Sequence, residues 1–429
     1  MTPPTPNPPA DATAMNPPLT RSQLAQLDHD DPLAPCRERF LLPEGVIYLD
    51  GNSLGALVKT VPARVQQAVV QEWGQGLIRS WNDAGWYPAP QRIGAAIAAL
   101  IGAQAHEVVA CDSTSVNLFK VLIGALQLRP GRRVILGELG NFPTDMYVAS
   151  GVAELMGAEL RCVAPDELEQ AIAQAGDALA VVTLTHVNYK TGRLYDMAGI
   201  TAAAHRVGGL VAWDLAHSAG TLPVQLNACA VDLAVGCGYK YLNGGPGAPA
   251  FVYVAEQHLA QVRSPIAGWH GHAQPFAFTQ GYEPHPGIDR MLVGTAPQLA
   301  MVALEEALSA FQGVEMAQLR RKGMALGDLF IRLVDEQLAG HGFGVASPRD
   351  AAQRGSQVAL THEHGYAIMQ ALIARGVIGD FRAPDILRFG FAGLYVRYVD
   401  IWDAVATLKA VMDSAEWRQP AFMARKAVT

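Results

Sequence analysis

Short apolar runs alternate with stretches of helical periodicity between about residues 60 and 300. Segments 145–157 and 197–208 have the apolar spacing of helices and lie between such runs. Fully apolar strands separated by helices are typical of a mostly parallel sheet covered on both faces, so we expect an α/β fold. The runs that predict its strands are 132–138, 159–164, 178–185, 209–214, 232–237 and 248–254.

The same pattern predicts how the chain is divided. Residues 1–20 are rich in Pro, Ala, Thr and Asn and predict a disordered tail. We expect residues 21–60 to form an N-terminal segment that packs with a small domain. Residues 61–300 predict the large, cofactor-binding domain. In residues 301–429 long helical stretches precede shorter strand candidates, which predicts a smaller C-terminal α+β domain.

Helical spacing is clear at the start of the large domain and again after it. A helix is predicted over residues 61–73, with Val61, Val65, Val69 and Val70 on one apolar face. In each helix such a face is the side that a core would cover. The elements expected in the small domain are helices at 297–311, 318–338 and 366–376 and strands at 356–362 and 385–391.

Composition favours a protein that acts on small molecules. The 429 residues carry a formal net charge of −7, and Lys and Arg form no basic run, so a nucleic-acid partner is not indicated. The five cysteines are widely spaced and form no C-x-x-C pair, which indicates neither a disulfide framework nor a zinc site. No apolar run is long enough to span a bilayer, and the N-terminus lacks a secretory signal. We therefore expect a cytoplasmic protein with no membrane partner.

Two polar residues follow successive predicted strands. Asp214 ends the run 209–214, and Lys240 comes soon after the run 232–237. Ligands of open α/β sheets bind at the carboxyl ends of strands, and a desolvated lysine there would be a good nucleophile. Asp214 alone could be a helix cap, and Lys240 alone could extend its ammonium group to solvent. Together they suit pyridoxal 5′-phosphate (PLP), which binds a lysine as a Schiff base and needs an acidic partner for its ring nitrogen; the other lysines lack this context.

The strand ends carry further side chains that could contact such a cofactor. A predicted helix starts at Thr114 and Ser115, and its free N–H groups suit a phosphate, although a plain helix cap explains the same residues. Phe142 follows a strand and could stack on a flat ring. Three more hydroxyl and carboxyl side chains stand at strand ends or at the following helix starts: Thr144, Asp145 and Thr185.

The histidine clusters do not indicate a metal site. His362 and His364 are two positions apart and would face different sides of a helix. His270 and His272 have no carboxylate or thiol at ligand spacing. The glycine spacing of a dinucleotide site is missing from any strand–helix context as well. We expect no metal and no dinucleotide.

Seven segments resemble the kynureninase family, which are PLP enzymes of fold type I in the class V aminotransferase superfamily. The resemblance runs from about residue 25 to about residue 400. WDLAHSAG and GCGYKYLNGGPGAPAF are shared in part with relatives such as cysteine desulfurases, whereas IYLDGNSLG and SWNDAGW are more particular. The seven segments are 47–55, 80–86, 141–145, 185–192, 213–220, 236–251 and 268–272.

The resemblance implies a role for each matching site residue. Lys240 would bind PLP covalently and later transfer protons, Asp214 would pair with the ring nitrogen, and Phe142 would stack on the ring. Tyr239 would be the acid and base for the carbonyl steps. Arg388 would bind the substrate carboxylate through two parallel hydrogen bonds, although it could instead be a surface residue of its strand. The other implied cofactor contacts are Thr114, Ser115, Pro143, Thr144, Asp145, Thr185, His217, Tyr239, Trp269 and Thr295, and the other implied substrate contacts are Trp81 and Gly294.

The implied reaction is PLP-dependent hydrolysis of L-kynurenine to anthranilate and L-alanine by Cβ–Cγ cleavage, in tryptophan catabolism and NAD biosynthesis. Trp81 with Gly294 and Thr295 resembles the bacterial form of the substrate pocket, which favours unhydroxylated kynurenine over 3-hydroxykynurenine. Trp269 and Thr295 would reach the cofactor of the neighbouring subunit. The resemblance therefore implies a homodimer with its active site at the subunit interface.

Two alternatives stay open on the sequence. Another class V PLP lyase, such as a cysteine desulfurase, needs a cysteine in a mobile loop, but Cys111 and Cys237 stand at strand ends. A non-catalytic protein that keeps the fold as a binding module is expected to lose Lys240, Asp214 or Arg388, and all three are intact.

Overall fold

The computed structural model describes residues 19–425. Most of the predicted N-terminal tail, residues 1–18, lies outside the described residues. Thr20, at the end of that predicted tail, instead caps the first helix, where its side-chain oxygen accepts a hydrogen bond from the backbone N–H of Gln23 at 3.4 Å. The N-terminal segment therefore includes Thr20.

The described residues form fifteen strands and fourteen α-helices, joined by short 3-10 turns and one π-helix. The strands are β1 (Phe40–Leu41), β2 (Ile47–Tyr48), β3 (Leu57–Val58), β4 (Val108–Ala110), β5 (Val134–Glu138), β6 (Glu159–Val163), β7 (Leu179–Thr185), β8 (Leu210–Asp214), β9 (Leu233–Gly236), β10 (Phe251–Val254), β11 (Gly344–Val345), β12 (Gln357–Thr361), β13 (Val377–Ile378), β14 (Asp380–Arg382) and β15 (Ile386–Gly390). The helices are α1 (Arg21–His29), α2 (Val61–Gln67), α3 (Ser80–Asp83), α4 (Ala89–Ile101), α5 (Thr114–Leu128), α6 (Pro143–Met156), α7 (Leu168–Ala175), α8 (Met197–Arg206), α9 (Glu256–Leu259), α10 (Gln298–Ala307), α11 (Met316–Gln337), α12 (Gly365–Ala374), α13 (Tyr398–Ser414) and α14 (Pro420–Met423).

The large sheet has seven strands in the order β4-β10-β9-β8-β7-β5-β6. Strands β5 to β9 pair in parallel, and β10 is antiparallel to both of its neighbours. Successive residues of a strand point to opposite faces, so Ile135 and Leu136 of β5 enter two separate apolar clusters, one on each face. The predicted α/β fold with a mostly parallel sheet is confirmed. The apolar runs missed β4 because three residues are too few to form a pattern.

A second sheet of four strands, in the order β11-β12-β15-β14, lies in the C-terminal part of the chain. Its strands pair antiparallel, and α11 and α12 pack on it. The N-terminal segment contacts this region, because β2 pairs in parallel with β13 and α1 packs on α13. An ion pair of 2.7 Å between Asp31 and Lys322, both buried, joins the same two parts.

The apolar face predicted for residues 61–73 is wrong. The α-helix ends at Gln67, and residues 68–76 continue as a π-helix. A π-helix widens the turn and rotates the residues that follow, so Val69 and Val70 are 37% and 52% exposed while Val61 is buried.

Candidate active site

The carboxyl ends of β7, β8 and β9 meet the N-termini of α5 and α6 around a cavity of about 160 Å³. Thr185 and Asp214 are register partners at the ends of β7 and β8. The cavity brings together ten of the residues that the sequence singled out, together with three that it did not. The lining residues are Ser113, Thr114, Ser115, Phe142, Thr144, Asp145, Thr185, Tyr189, Asp214, Ala216, His217, Tyr239 and Lys240.

Lys240 extends into this cavity from the loop after β9. Its Nζ lies 3.0 Å from Nε2 of His217 and 5.9 Å from the ring centre of Phe142. Lys240 is half-buried, whereas Lys120 is fully buried in another part of the large sheet domain. The sequence led us to expect that burial would distinguish Lys240 from the other lysines. This expectation is wrong, because Lys120 is more deeply buried than Lys240. What distinguishes Lys240 is its position among acidic, aromatic and hydroxyl side chains.

His217 is the hydrogen-bond acceptor for Lys240. The amide nitrogen of Gln357 donates to the carbonyl of Tyr189 at 3.0 Å, which turns its Oε1 toward Nδ1 of His217 at 2.9 Å. Nδ1 therefore carries the proton, and Nε2 accepts the hydrogen bond from Lys240. Burial lowers the pKa of His217 well below its usual value, and the charges of Lys240 and Arg388 lower it further. The imidazole is neutral at neutral pH.

Asp145 and Asp214 form a buried pair of acids beneath the cavity. Burial and the charge of Asp214 raise the pKa of Asp145 well above its usual value. Protonated Asp145 donates a hydrogen bond to Asp214, which also accepts one from the backbone N–H of Ala216 at 2.9 Å. Burial also raises the pKa of Asp214, but this effect is opposed by the charge of Lys240 and by the two hydrogen bonds. The proton of the pair therefore resides on Asp145, and Asp214 is the carboxylate that faces Lys240.

The N-terminus of α5 closes one end of the cavity. Ser113, not Thr114 or Ser115, is the helix cap, since its Oγ accepts a hydrogen bond from the backbone N–H of Val116 at 3.4 Å. Thr114 and Ser115 are the first two helical residues, so their N–H groups are free of intrahelical partners. The buried Oγ1 of Thr185 also has no partner among the described residues. A lysine, a carboxylate, an aromatic ring and free N–H groups at a helix N-terminus are the groups that PLP needs, so the residues present fit this cofactor.

A second cavity of about 150 Å³ adjoins the first and contains Arg388. Arg388 is buried, which excludes the alternative of a surface residue. Its Nε donates to Asp380 at 2.8 Å, its Nη2 to the hydroxyl of Ser53 at 3.0 Å, and its Nη1 to the carbonyl of Tyr189 at 2.5 Å. Burial opposes ionisation of Asp380, but the charges of Arg388 and Arg382 and the hydrogen bonds from Arg388 and Ser53 together outweigh it and lower the pKa of Asp380. The guanidinium is thus held rigidly at the edge of the cavity that contains Lys240.

Five predicted site residues do not line either cavity. Pro143 is an exposed residue in the first turn of α6. Trp269 stacks on His270, with 4.7 Å between the ring centres, and packs edge to face with Trp81, with 5.9 Å between the ring centres. Gly294 and Thr295 are exposed. Within one chain, these five residues therefore lie outside the walls of both cavities around Lys240.

The sequence also missed residues that belong to the site. Ser53 and Tyr189 lie within segments that carried the family resemblance, IYLDGNSLG and THVNYKTG, so those motifs were the available signal. Gln357 and Asp380 had no signal because their function depends on contacts with distant parts of the chain. The full set of missed residues is Asn52, Ser53, Ser113, Tyr189, Ala216, Gln357, Asp380 and Arg382.

No helix in the part of the chain that the structure describes is long and apolar enough to cross a membrane. Across residues 19–425, no three His, Cys, Asp or Glu side chains come together in an arrangement that could hold a metal ion.

The sequence is similar to a family of known proteins over nearly its whole length. A family model described as the kynureninase C-terminal domain matches residues 319–408. The kynureninase of Burkholderia mallei (strain SAVP1) is 52% identical over 417 residues, which is 96% of this chain and 100% of that protein. The kynureninase of Pseudomonas fluorescens has the same identity and coverage.

Solved structures of other enzymes share the fold. An apo cysteine desulfurase from Thermococcus onnurineus NA1 superposes with a TM-score of 0.75 at 18% identity, covering 89% of this chain and 98% of that one. A mutant of C-DES with glycine covalently linked to its PLP cofactor gives a TM-score of 0.74 at 20% identity, covering 87% of this chain and 98% of that one. At these identities the likeness establishes the fold alone.

Proposed function

The chain belongs to the kynureninase family, and we propose that it hydrolyses L-kynurenine to anthranilate and L-alanine with PLP bound to Lys240. The observation that carries the proposal is the position of Lys240 beside the acid pair Asp145–Asp214, in a chain about half identical to kynureninases along its length. The fold neighbours that are cysteine desulfurases do not favour that activity here. Burial raises the pKa of both Cys111 and Cys237, so neither is a ready thiolate.

When bound, PLP supplies an electron sink that acidifies the substrate Cα–H bond and accepts electrons as the Cβ–Cγ bond breaks. Lys240 would hold the cofactor covalently. The carboxylate of Asp214 would keep the ring nitrogen protonated, and Phe142 would cover one face of the ring. The N–H groups of Thr114 and Ser115 would bind the phosphate. Thr144, Asp145, Thr185 and His217 complete the wall of this site.

Lys240 is the base that we assign to the Cα proton. Its Nζ is held by a hydrogen bond to neutral His217, which can accept from the amine or the ammonium form without adding a like charge. Tyr239 lines both cavities, and burial raises the pKa of its phenol, so Tyr239 remains a proton donor at neutral pH. We assign Tyr239 to protonation at the carbonyl and at Cβ.

Arg388 is the residue that we assign to the substrate carboxylate. It lines the cavity next to Lys240 and is oriented by Asp380, Ser53 and the Tyr189 carbonyl. Arg382 lines the same cavity and contacts Asp380 at 2.6 Å, so two guanidinium groups share one carboxylate. The two guanidinium groups therefore carry one more positive charge than the carboxylate they share, which favours binding of the substrate's carboxylate.

The proposal includes a homodimer in which Trp269 and Thr295 contact the site of the neighbouring subunit. These two residues do not line the cavity of their own chain. The loop after Trp269 exposes Phe276 and Phe278, at 64% and 84%, and large exposed aromatic residues are typical of contact surfaces. Lys240→Ala and Trp269→Ala proteins, each inactive alone, should regain activity when mixed, because a mixed dimer rebuilds one native site. Mixing without any gain would contradict a shared site.

Trp81, Gly294 and Thr295 support a preference for unhydroxylated kynurenine. Trp81 lies against Trp269, and the Gly294-Thr295 pair adds little polar surface for a ring hydroxyl. The expected result is a higher kcat/KM for L-kynurenine than for 3-hydroxykynurenine. A higher kcat/KM for 3-hydroxykynurenine would overturn this preference but would not contradict the proposed reaction.

The central experiment mixes purified protein with PLP and L-kynurenine and follows anthranilate by its fluorescence. We expect anthranilate and L-alanine in equal amounts, and covalent trapping of the cofactor on Lys240 by borohydride. Lys240→Ala is the matched control and should give no turnover. Trapped cofactor without anthranilate would contradict the hydrolysis while leaving the PLP site intact, and a parallel assay with L-cysteine would test for a desulfurase.

A further inference from the structure

Lys120 is a fully buried lysine that the proposed chemistry does not use. It lies in the second turn of α5, and helical side chains lean toward the helix N-terminus. Its Nζ reaches back to the Asp112 carboxylate at 2.6 Å and to the Met291 carbonyl at 2.6 Å. The thiol of Cys111 is a third neighbour at 3.5 Å, and because burial raises its pKa to about 11, that thiol is neutral. Asp112 is thus the anionic partner of Lys120.

Asp112 stands directly before Ser113, the cap residue of α5 that lines the active-site cavity. Its backbone is in the left-handed region, with φ of 47°, and its side chain is partly exposed. An unpaired carboxylate there would act against the partial positive charge of the helix N-terminus, where an anion is to bind. The ion pair with Lys120 removes that opposition.

The Met291 carbonyl extends the role of Lys120 to a second segment. Met291 ends the 3-10 turn Ile288–Met291, and the chain continues from there to Gly294 and Thr295. The ammonium group therefore connects the entry of α5 to the segment proposed to reach the neighbouring subunit.

We propose that Lys120 is a positioning residue for the cofactor phosphate, which neutralises Asp112 and holds the N-terminus of α5 ready for a dianion. This inference rests on the proposed location of the phosphate at Thr114 and Ser115. The effect of Lys120 is therefore specific for the phosphate group. Removal of Lys120 weakens binding of PLP more than binding of pyridoxal, which has the same ring and aldehyde without the phosphate.

The experiment removes the cofactor from the holoenzyme and titrates the protein with PLP and, separately, with pyridoxal, following absorbance of the bound ligand. Lys120→Met is expected to weaken PLP binding by roughly tenfold, while the affinity for pyridoxal changes by less than about twofold. Asp112→Asn is expected to bind PLP more tightly than the native protein, since Asn tolerates the same backbone conformation and leaves the ammonium group unpaired. The double variant is expected to return close to native affinity.

Lys322→Met is the matched control, because Lys322 is also buried and paired with an aspartate, Asp31, at 2.7 Å. It should leave the ratio of PLP to pyridoxal affinity unchanged. An equal loss of affinity for PLP and for pyridoxal in Lys120→Met would overturn the inference, since it would indicate a general disturbance of the structure. If Lys120→Met does not fold, Asp112→Asn decides alone: unchanged or weaker PLP binding contradicts the proposal.

The phosphate location is tested separately by Ser115→Pro, which removes one of the two proposed N–H donors, and by Thr114→Val, which removes the hydroxyl beside the other. A loss of phosphate-specific affinity in these variants but not in Lys120→Met contradicts only the role of Lys120. No phosphate-specific loss in any of them contradicts the proposed location of the phosphate.

Discussion

Nζ of Lys240 donates a hydrogen bond of 3.0 Å to Nε2 of His217, and Gln357 holds the opposite side of the same imidazole at 2.9 Å. Gln357 is 140 residues from His217 along the chain and belongs to the smaller sheet. The orientation of the central lysine is therefore set by contact between the two sheets, which makes His217 a useful residue to alter.

His217 should make the protein sensitive to mild acid. Its folded-state pKa lies well below the ordinary value near 6.5 that applies when the chain is unfolded. Between these two values the unfolded chain binds a proton that the folded protein refuses, so the free energy of unfolding falls as pH drops below about 6.5, by at most about 1.4 kcal/mol per pH unit. His217→Gln should lose this part of the dependence. Urea midpoints for both proteins at pH 7.5 and 5.5 measure it, and parallel shifts in the two would contradict the assignment.

Asp50 should lower the free energy of unfolding as pH rises, which is the opposite of the effect of His217. Burial and the neighbouring charge of Asp380 raise the pKa of its carboxyl to about 7, although the hydrogen bond from Ser53 and the charge of Arg388 oppose this shift. Its Oδ1 is buried without a partner among the described residues. Because the folded protein holds this proton and the unfolded chain releases it above about pH 4, stability contributed by neutral Asp50 is lost as pH rises toward 7.

Asp50→Asn replaces the carboxyl with a group of similar shape that does not ionise. Its free energy of unfolding should match the native value near pH 4, exceed it increasingly as pH rises to about 7, and keep a constant excess above that pH. Guanidinium titrations across that range give the difference directly. A constant difference at every pH would show that Asp50 does not hold a proton in the folded protein.

Asp145 should act as a neutral donor to Asp214. Asp145→Asn keeps an N–H donor and should retain kcat/KM within about tenfold of the native value. Asp145→Ala leaves the buried Asp214 carboxylate short of one hydrogen bond, so its kcat/KM should be roughly 10- to 100-fold lower than that of Asp145→Asn. Asp214→Asn, which removes the carboxylate itself, should be the least active of the three. Steady-state kinetics with L-kynurenine rank them, and equal activity of the Asn and Ala variants of Asp145 would argue against the donor role.

Gly55 should be sensitive to a single methyl group. Its N–H donates to the Tyr239 carbonyl at 2.8 Å, and a Cβ would overlap the carbonyl oxygen of Lys240 and the backbone of Asn243. Gly55→Ala must displace the loop that carries Lys240, and small displacements of a reacting group can reduce kcat/KM on the order of 100-fold. Gly151→Ala is the control, because its Cβ meets nothing within 4 Å and α6 should gain about 0.5–1 kcal/mol. Similar activity for both variants would contradict the crowding at Gly55.

The sequence pattern was sufficient for six of the seven strands of the large sheet, all except β4, and for the ends of those six strands. Fully apolar runs identify strands buried on both faces, and parallel strands place their carboxyl ends at one edge, so Asp214 and Lys240 could be expected together. The pattern failed at residues 68–76, where the change from an α- to a π-helix alters the period on which the prediction depends.

The sequence by itself determined the α/β fold and the family, and it singled out Lys240 and Asp214, which we propose as the cofactor anchor and its acidic partner. These depend on burial periodicity and on motifs that are continuous along the chain. Only the tertiary structure decided which acid of the Asp145–Asp214 pair holds the proton, because burial and mutual charge set those pKa values. It also decided that Arg388 is buried beside Ser53, 335 residues away, since hydrogen bonds between distant segments leave no periodic trace in the sequence.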